Sequence, residues 1–193
     1  DISLTIHYLR TRRDIRKIMI IDLDAHQGNG YAKDYPIDDE IYIVTAITLG
    51  FFSRHRREVG HSKKHAINKG TTDEEYIKLV ESISMDFQYF KPDFVIYNAG
   101  TDILDEDPLG ALHLHRDGDP SDATVIKLCR SLGVPVAMLL SGGYHAKCAQ
   151  VIARSIDNLL KGSLEPSTVF RQMPHLIIDL SRHLSHHLTV ETN

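Results

Sequence analysis

The feature that most constrains the fold is a set of short segments that are apolar at nearly every position. A strand with one face in water alternates apolar and polar side chains, whereas a strand covered on both faces is apolar throughout. Helical patterns separate these segments, and that alternation is typical of α/β proteins. We therefore predict a mainly parallel sheet covered on both faces, with strands in segments 17–21, 41–44, 93–97 and 134–140.

Helices are predicted between the strands. Thr72 and Glu75 form a capping-box pattern, and apolar residues then recur at helical spacing as far as Phe90. Further helices are expected over 2–9, 123–132 and 146–160. Residues 51–70 are rich in Arg, Lys and His and are interpreted as a long surface loop. We divide the chain into a domain over 1–162 and a weakly patterned tail over 163–193, with a short helix expected after Pro174.

Composition limits the class of protein. The chain has 193 residues, 42% of them hydrophobic and 25% charged, with a net charge of −4. These values are typical of a globular domain and do not favour nucleic acid as a direct partner. No apolar run approaches the roughly 20 residues that span a bilayer, so no membrane partner is expected. Two cysteines give no disulfide framework, which fits a reducing compartment.

Three loops that follow predicted strands carry the chemistry. Asp24 and His26 follow the first strand, Asp102 follows the third, and Tyr144 follows the fourth, after two glycines. In parallel sheets, sites form beyond the carboxyl ends of the strands. Two carboxylates and an imidazole would give a zinc ion three ligands and leave one position open, which is the catalytic arrangement. Tyr144 would then donate its hydroxyl to a developing oxyanion.

Each of these residues also has an ordinary structural interpretation. Asp24 and Asp102 are acids of a kind that is common in turns, His26 is consistent with a hydrogen-bonded loop residue, and Tyr144 with a residue that closes a loop. Because all four residues follow strands of one predicted sheet, a shared metal site is favoured over four separate structural roles.

The motifs around these residues resemble the zinc-dependent histone deacetylases, and the class IV branch in particular. The resemblance runs in order over about residues 1–162. It rests on Asp22-x-Asp24-x-His26-x-Gly28-Asn29-Gly30, on Asn98-Ala99-Gly100-Thr101-Asp102 with Asp107-Pro108-Leu109-Gly110, and on Ser141-Gly142-Gly143-Tyr144.

The resemblance implies a three-layer arginase/deacetylase-like fold and hydrolysis of acetyl or other acyl groups from lysine side chains. It implies that Asp24, His26 and Asp102 hold zinc and that Tyr144 polarises the carbonyl. A monovalent cation, usually potassium, is implied beside Asp22. Histone tails or other acylated proteins are the implied partners, and the nucleus the implied location, with the cytoplasm left open.

The chain also departs from the family pattern. The family has two adjacent histidines, acting as base and acid, before its first metal motif, whereas His7 is the single histidine before Asp22. We therefore expect the N-terminal part of the domain to be missing and the activity to be impaired. His145 and the pair His186-His187 are alternative sources of a base.

Two further interpretations stay open. One is a catalytically silent, truncated binding or regulatory module that keeps the metal site. The other is a different metallohydrolase of the same fold, such as an arginase-like enzyme or a polyamine deacylase. A single Asp-x-His motif and the Gly-Gly-Tyr loop argue against an arginase-like site, which needs a second set of acidic ligands.

Overall fold

A sheet of six parallel strands forms the centre of the fold. The structure, a computed structural model, describes residues 1–48, 62–110, 112, 114, 120–163 and 178–179. The strands are β1 (Ile18–Asp22), β2 (Ile41–Thr48), β3 (Ser62–Ile67), β4 (Phe94–Ala99), β5 (Val136–Leu140) and β6 (Ile178–Asp179). They lie in the order β3-β2-β1-β4-β5-β6, and every pair is parallel. The predicted α/β fold with a parallel sheet is confirmed.

The described residues include five helices. They are α1 (Ile2–Arg12), α2 (Asn29–Asp34), α3 (Asp73–Phe90), α4 (Pro120–Ser131) and α5 (Cys148–Ser163). Helix α1 precedes β1, and the other four lie between strands along the chain. The predicted capping box begins α3: Glu75 N–H donates to the Thr72 hydroxyl, and Thr72 N–H donates to the Glu75 carboxylate. Lys91, in the left-handed conformation, ends this helix. Among the described helices there is none with the length and apolar character needed to cross a membrane.

The sheet has a helical layer on each face. Side chains of a strand alternate between the faces. Met19 and Ile21 of β1 therefore pack with α3 and α4, whereas Ile18 and Ile20 pack with α1 and α2. All five residues of β1 are buried. The result is a three-layer arrangement with one apolar core on either side of the sheet, as the uniformly apolar segments predicted.

Three parts of the sequence-based prediction are corrected. Residues 62–67 form β3 instead of belonging to a surface loop; β3 lies at the sheet edge and is mostly half-buried, so polar side chains are tolerated there. The short helix α2 begins at Asn29, within the first motif, where no helix was predicted. Residues 178–179 form β6 instead of part of a helix after Pro174. The rest of that helix, and most of the tail over 163–193, lies outside the described residues.

Candidate metal centre

The sheet topology brings the first two motif loops together. Strands β1 and β4 are hydrogen-bonded neighbours, with Asp22 in register with Asn98. Their carboxyl ends therefore meet at one edge of the sheet. The loop after β1 carries Asp24 and His26, and the loop after β4 carries Asp102. Strand β5 pairs with β4 on the other side and adds the loop that begins at Ser141.

The three predicted ligands lie within bonding range of a common point. His26 Nδ1 lies 2.8 Å from Asp102 Oδ2 and 3.2 Å from Asp24 Oδ1. One donor atom from each residue lies within 4.8 Å of the other two. Asp24 and Asp102 are buried, and His26 is partly exposed. The structure thus gathers the residues that the sequence selected, although the chain separates the outer two by 78 positions.

Asp24 is held by hydrogen bonds from two different loops. Its Oδ2 accepts the Ser141 hydroxyl at 2.9 Å and the Gly142 N–H at 3.0 Å. Its Oδ1 accepts the His26 N–H at 2.9 Å. The Oδ2 atom is therefore occupied by protein donors, while Oδ1 faces the imidazole. The sequence motif included Ser141 but did not reveal its role, because a serine before two glycines does not indicate which carboxylate its hydroxyl will bind.

Asp102 has the same division between its two oxygens. Its Oδ1 accepts the Ala25 N–H at 2.9 Å, and its Oδ2 is the atom close to His26 Nδ1. The side chain of Asp102 is fully buried. Each candidate carboxylate ligand thus has one oxygen close to His26 Nδ1, and in Asp24 that oxygen also accepts the His26 backbone N–H.

Glycine allows the backbone to approach the acids. A Cβ added at Gly142 would lie 2.5 Å from Asp102 Oδ2 and 2.6 Å from Asp24 Oδ2. A Cβ at Gly100 would lie 2.5 Å from the Asp24 Cα. These distances are too short for any side chain, so glycine is required at both positions if the acids are to stay where they are.

The site has an excess of negative charge in a buried setting. Burial and the neighbouring Asp24 carboxylate raise the pKa of Asp102 to about 7. Burial opposes a charged imidazole, but the carboxylates of Asp102 and Asp24 outweigh it and raise the pKa of His26. The shift of Asp102 reflects burial and repulsion from a like charge, whereas the shift of His26 reflects attraction by opposite charges; both indicate an excess of negative charge at the site. The donor set of two carboxylates and one imidazole fits a divalent first-row cation such as zinc.

Asp22 is the last residue of β1, two positions before Asp24, and is fully buried. Its carboxylate accepts hydrogen bonds from the Tyr31 hydroxyl, the Asn98 side-chain amide at 2.9 Å and the Asp24 N–H at 3.1 Å. Burial raises the pKa of Asp22 to about 6. Thr45, its register partner on β2, has a buried hydroxyl with no hydrogen-bond partner among the described residues.

Tyr144 lies on the loop after β5 and is 58% exposed. Its backbone N–H donates to Asp107 Oδ2 at 2.7 Å. Burial, followed by the carboxylates of Asp24 and Asp102, raises the pKa of the phenol. The predicted hydroxyl donor is therefore within electrostatic range of the acids and stays protonated at neutral pH.

His145, a candidate base, has a hydrogen-bond partner on one ring nitrogen and a carboxylate near the other. Its Nδ1 accepts the Lys147 N–H at 3.2 Å, and its Nε2 lies 3.8 Å from a Glu106 carboxylate oxygen. These contacts fit a residue that shapes the loop better than one that removes a proton. The other candidate bases, His186 and His187, lie outside the described residues.

Comparison with known proteins identifies the family. The family model described as Histone deacetylase domain matches residues 1–162. The chain belongs to this family. Histone deacetylase 2 of Arabidopsis thaliana is 46% identical over 169 residues, which are 85% of this chain and 43% of that protein. Putative histone deacetylase 2 of Caenorhabditis elegans is 32% identical over 139 residues, which are 67% of this chain and 27% of that protein.

Solved structures support the deacetylase fold. The acetylpolyamine aminohydrolase from Burkholderia pseudomallei matches with a TM-score of 0.64 and 18% identity, over 81% of this chain and 47% of that one. The HD domain of HDA15 matches with a TM-score of 0.64 and 21% identity, over 86% of this chain and 50% of that one. The chain therefore spans half or less of the length of each of these relatives and matches part of the deacetylase domain.

Proposed function

We propose that this chain provides the zinc-binding part of a lysine deacetylase site of the class IV type. In this proposal residues 1–162 are the C-terminal part of a deacetylase domain, and 163–193 form a tail outside it. The family match and the relatives named as histone deacetylases support hydrolysis of acyl-lysine amides. The motif Asn98-Ala99-Gly100-Thr101-Asp102 and its neighbours support the class IV assignment.

Asp24, His26 and Asp102 would hold the ion. A divalent ion bound there supplies Lewis-acid polarisation of the amide carbonyl and a more acidic water. The chain's own residues then have two tasks. Ser141 and the backbone fix the acids, and the Tyr144 hydroxyl donates a hydrogen bond to the oxyanion that develops on the acyl oxygen. Exposure of Tyr144 beside buried acids is consistent with a substrate that arrives from solvent.

One observation carries the proposal: His26 Nδ1 lies 2.8 Å from Asp102 Oδ2 and 3.2 Å from Asp24 Oδ1. The test is the zinc affinity of the purified chain, measured by competition with a chromophoric chelator. Asp102→Asn should lower the affinity by more than about 100-fold, beyond the range typical of outer-shell changes.

The matched control for this test is Asp122→Asn. Asp122 is equally buried and accepts the Tyr97 hydroxyl at 2.5 Å, but it lies in the polar cluster between β4, α4 and α5. Its substitution should leave zinc affinity unchanged. A wild-type chain that binds no zinc, or equal affinities for both variants, would contradict the proposal.

We also propose a potassium site at Asp22. Asp22 and Thr45 are in register on adjacent strands and face the same side of the sheet, and the buried Thr45 hydroxyl is otherwise unsatisfied among the described residues. An orphaned buried hydroxyl costs about 1–3 kcal/mol, which an oxygen-coordinated cation would offset. Potassium should therefore raise the unfolding temperature of the wild type more than tetramethylammonium chloride does at equal ionic strength. Thr45→Val, which removes the oxygen and keeps the shape, should abolish that difference.

The 193-residue chain is expected to turn over acetyl-lysine substrates slowly. General acid–base assistance is typically worth roughly 10² to 10⁴ in rate, and the histidine pair that supplies it in the family is missing from the residues before Asp22. A deacetylation assay on an acetylated histone peptide tests this. Robust turnover that is lost on Asp102→Ala would contradict impairment and support full catalysis by this chain.

Histone tails and other acyl-lysine proteins are the proposed partners, and the nucleus is the proposed location. The names of the plant and nematode relatives support both. Deacetylation of histones would make the protein a chromatin and transcription regulator. Expression of a tagged chain, followed by microscopy and by capture on acetylated against unmodified histone peptides, tests this assignment.

A further inference from the structure

The motif Asp107-Pro108-Leu109-Gly110 contains a buried acid that the proposed chemistry does not use. Asp107 is 5% exposed. Its Oδ1 accepts the Leu109 N–H at 2.9 Å and the Gly110 N–H at 3.1 Å, and its Oδ2 accepts the Tyr144 N–H at 2.7 Å. Asp107 is therefore hydrogen-bonded both to its own loop, after β4, and to the loop after β5.

The loop around Asp107 is tightly constrained. Glu106, the preceding residue, has a φ of +67°, in the left-handed region that non-glycine residues rarely adopt. Such a conformation persists only where surrounding contacts impose it. Gly110 passes so close to Asp102 that an added Cβ would lie 1.4 Å from the Asp102 carbonyl oxygen. The turn over 107–110 thus packs directly against the backbone of Asp102, a candidate metal ligand.

The same turn contacts the candidate imidazole ligand. The Leu109 carbonyl oxygen lies 3.2 Å from His26 Nε2. A carbonyl only accepts, so this contact requires a proton on Nε2; in the neutral imidazole, Nδ1 then has the lone pair, which faces Asp24 and Asp102. Metal-binding histidines are commonly fixed in this way by a second hydrogen bond. The Leu109 peptide is itself held in place by its N–H bond to Asp107.

On its other oxygen, Asp107 holds the backbone of Tyr144. Gly143, the residue before it, has a φ of +136°, so this loop makes a turn that few other residues would allow. The hydrogen bond from the Tyr144 N–H to Asp107 fixes the position of the backbone at the end of this turn. One buried carboxylate therefore accepts hydrogen bonds from two loops. The loop after β4 carries the Leu109 carbonyl that contacts His26, and the loop after β5 carries Tyr144.

We propose that Asp107 is a positioning residue for the metal centre, acting through the Leu109 carbonyl on His26 and through the backbone N–H on Tyr144. This inference rests on the proposed function, because it concerns how a metal ligand is oriented. It assigns Asp107 no contact with substrate or ion. A merely structural acid would change stability alone, whereas a positioning acid also changes metal affinity.

The test compares Asp107→Asn with Asp122→Asn in the full 193-residue chain. Asparagine keeps the shape of Asp107 but has a single acceptor oxygen, so it cannot hold the Leu109 turn and the Tyr144 N–H at the same time. Asp122 is matched in burial, and its hydroxyl partners, Tyr97 and Ser155, lie on β4 and α5 and not on the loops that carry the candidate site. Both variants should unfold at lower temperature. Only Asp107→Asn should weaken zinc binding, by about tenfold, the lower end of what outer-shell changes produce.

A second measurement needs no variant. In the zinc-loaded wild-type chain, nitrogen NMR of the histidine rings should show His26 bound through Nδ1, with a slowly exchanging proton on Nε2. Binding through Nε2 would overturn the proposal even if Asp107→Asn fails to fold. Where that variant folds, exchange of the Nε2 proton should become about tenfold faster, since the turn that carries the protecting Leu109 carbonyl is less firmly held.

The outcomes separate this inference from the proposed function. Zinc binding that is weakened alike in both variants, or in neither, would refute the positioning role and leave the zinc site standing. A wild-type chain that binds no zinc would refute both. Weakened binding confined to Asp107→Asn, with Nδ1 ligation in the wild type, would establish the role.

Discussion

The close approach of Gly142 to the acids gives a sharp test of the site geometry. A Cβ at this position would lie 2.5 Å from Asp102 Oδ2 and 2.6 Å from Asp24 Oδ2. Gly142→Ala adds that single atom and retains the N–H that donates to Asp24. The substitution therefore isolates a steric effect on two candidate ligands from any loss of hydrogen bonding.

The expected magnitude follows from the distances. The added carbon would be about 0.9 Å short of the 3.4 Å at which ordinary contact begins. Working metal sites hold their ligand distances within about 0.2 Å, so a displacement of this size removes an oxygen from the coordination shell. We expect zinc affinity to fall by at least about 100-fold. Overpacking should also cost about 1–3 kcal/mol of stability.

Gly30→Ala is the matched control. Gly30 lies in the first turn of α2, and an added Cβ there has no heavy atom within 4 Å. Alanine is favoured over glycine in a helix by roughly 1 kcal/mol, so this variant should be as stable as the wild type or more so, with unchanged zinc affinity. Calorimetric titration with zinc and thermal unfolding measure both quantities. Wild-type zinc affinity in Gly142→Ala would refute the inferred placement of the two acids.

Two predictions concern stability away from the site. The Arg10 guanidinium binds Asp38 through two hydrogen bonds, at 2.7 and 2.9 Å, and holds the pKa of that carboxyl below its usual value. Arg10→Met should therefore cost about 1–2 kcal/mol at pH 7. Because the pKa of Asp38 is lowered in the folded state, this difference should shrink as the pH falls below 3.8 in acid titrations of unfolding. Thr72→Ala removes the capping box of α3 and should cost about 1 kcal/mol in urea unfolding; an unchanged midpoint would contradict the role of the cap.

The central strands could be predicted because burial on both faces leaves a clear signal. In β1 every side chain is buried, so the sequence of Ile18–Asp22 is apolar up to its terminal acid. The edge strand β3 gives no such signal. Its sequence, Ser62–Ile67, carries two lysines and a histidine, since most of its side chains are only partly covered. Strand β3 pairs with β2 through backbone hydrogen bonds. A pattern of side chains in the sequence does not indicate such pairing.

The candidate site was predictable to the extent that topology determines it. Adjacent parallel strands end at the same edge, so the residues that follow β1 and β4 had to be neighbours. The partners that fix these side chains were not predictable, because Ser141 and Asp107 reach other loops through bonds that depend on the path of each turn. The unsatisfied hydroxyl of Thr45 is likewise visible only once strand register is known.

The two proposed cation sites share one electrostatic origin. Asp22, Asp24 and Asp102 are three buried carboxylates on neighbouring strand ends, and among the described residues His26 is the single basic side chain paired with any of them. Hydrogen bonds from the backbone stabilise a carboxylate but do not cancel its charge, and burial makes the remaining repulsion expensive. Without bound cations, Asp102, whose pKa is raised to about 7, would be partly protonated at neutral pH. One oxygen of Asp24 and one of Asp102 face His26 Nδ1, so a cation bound at that point would supply the missing charge.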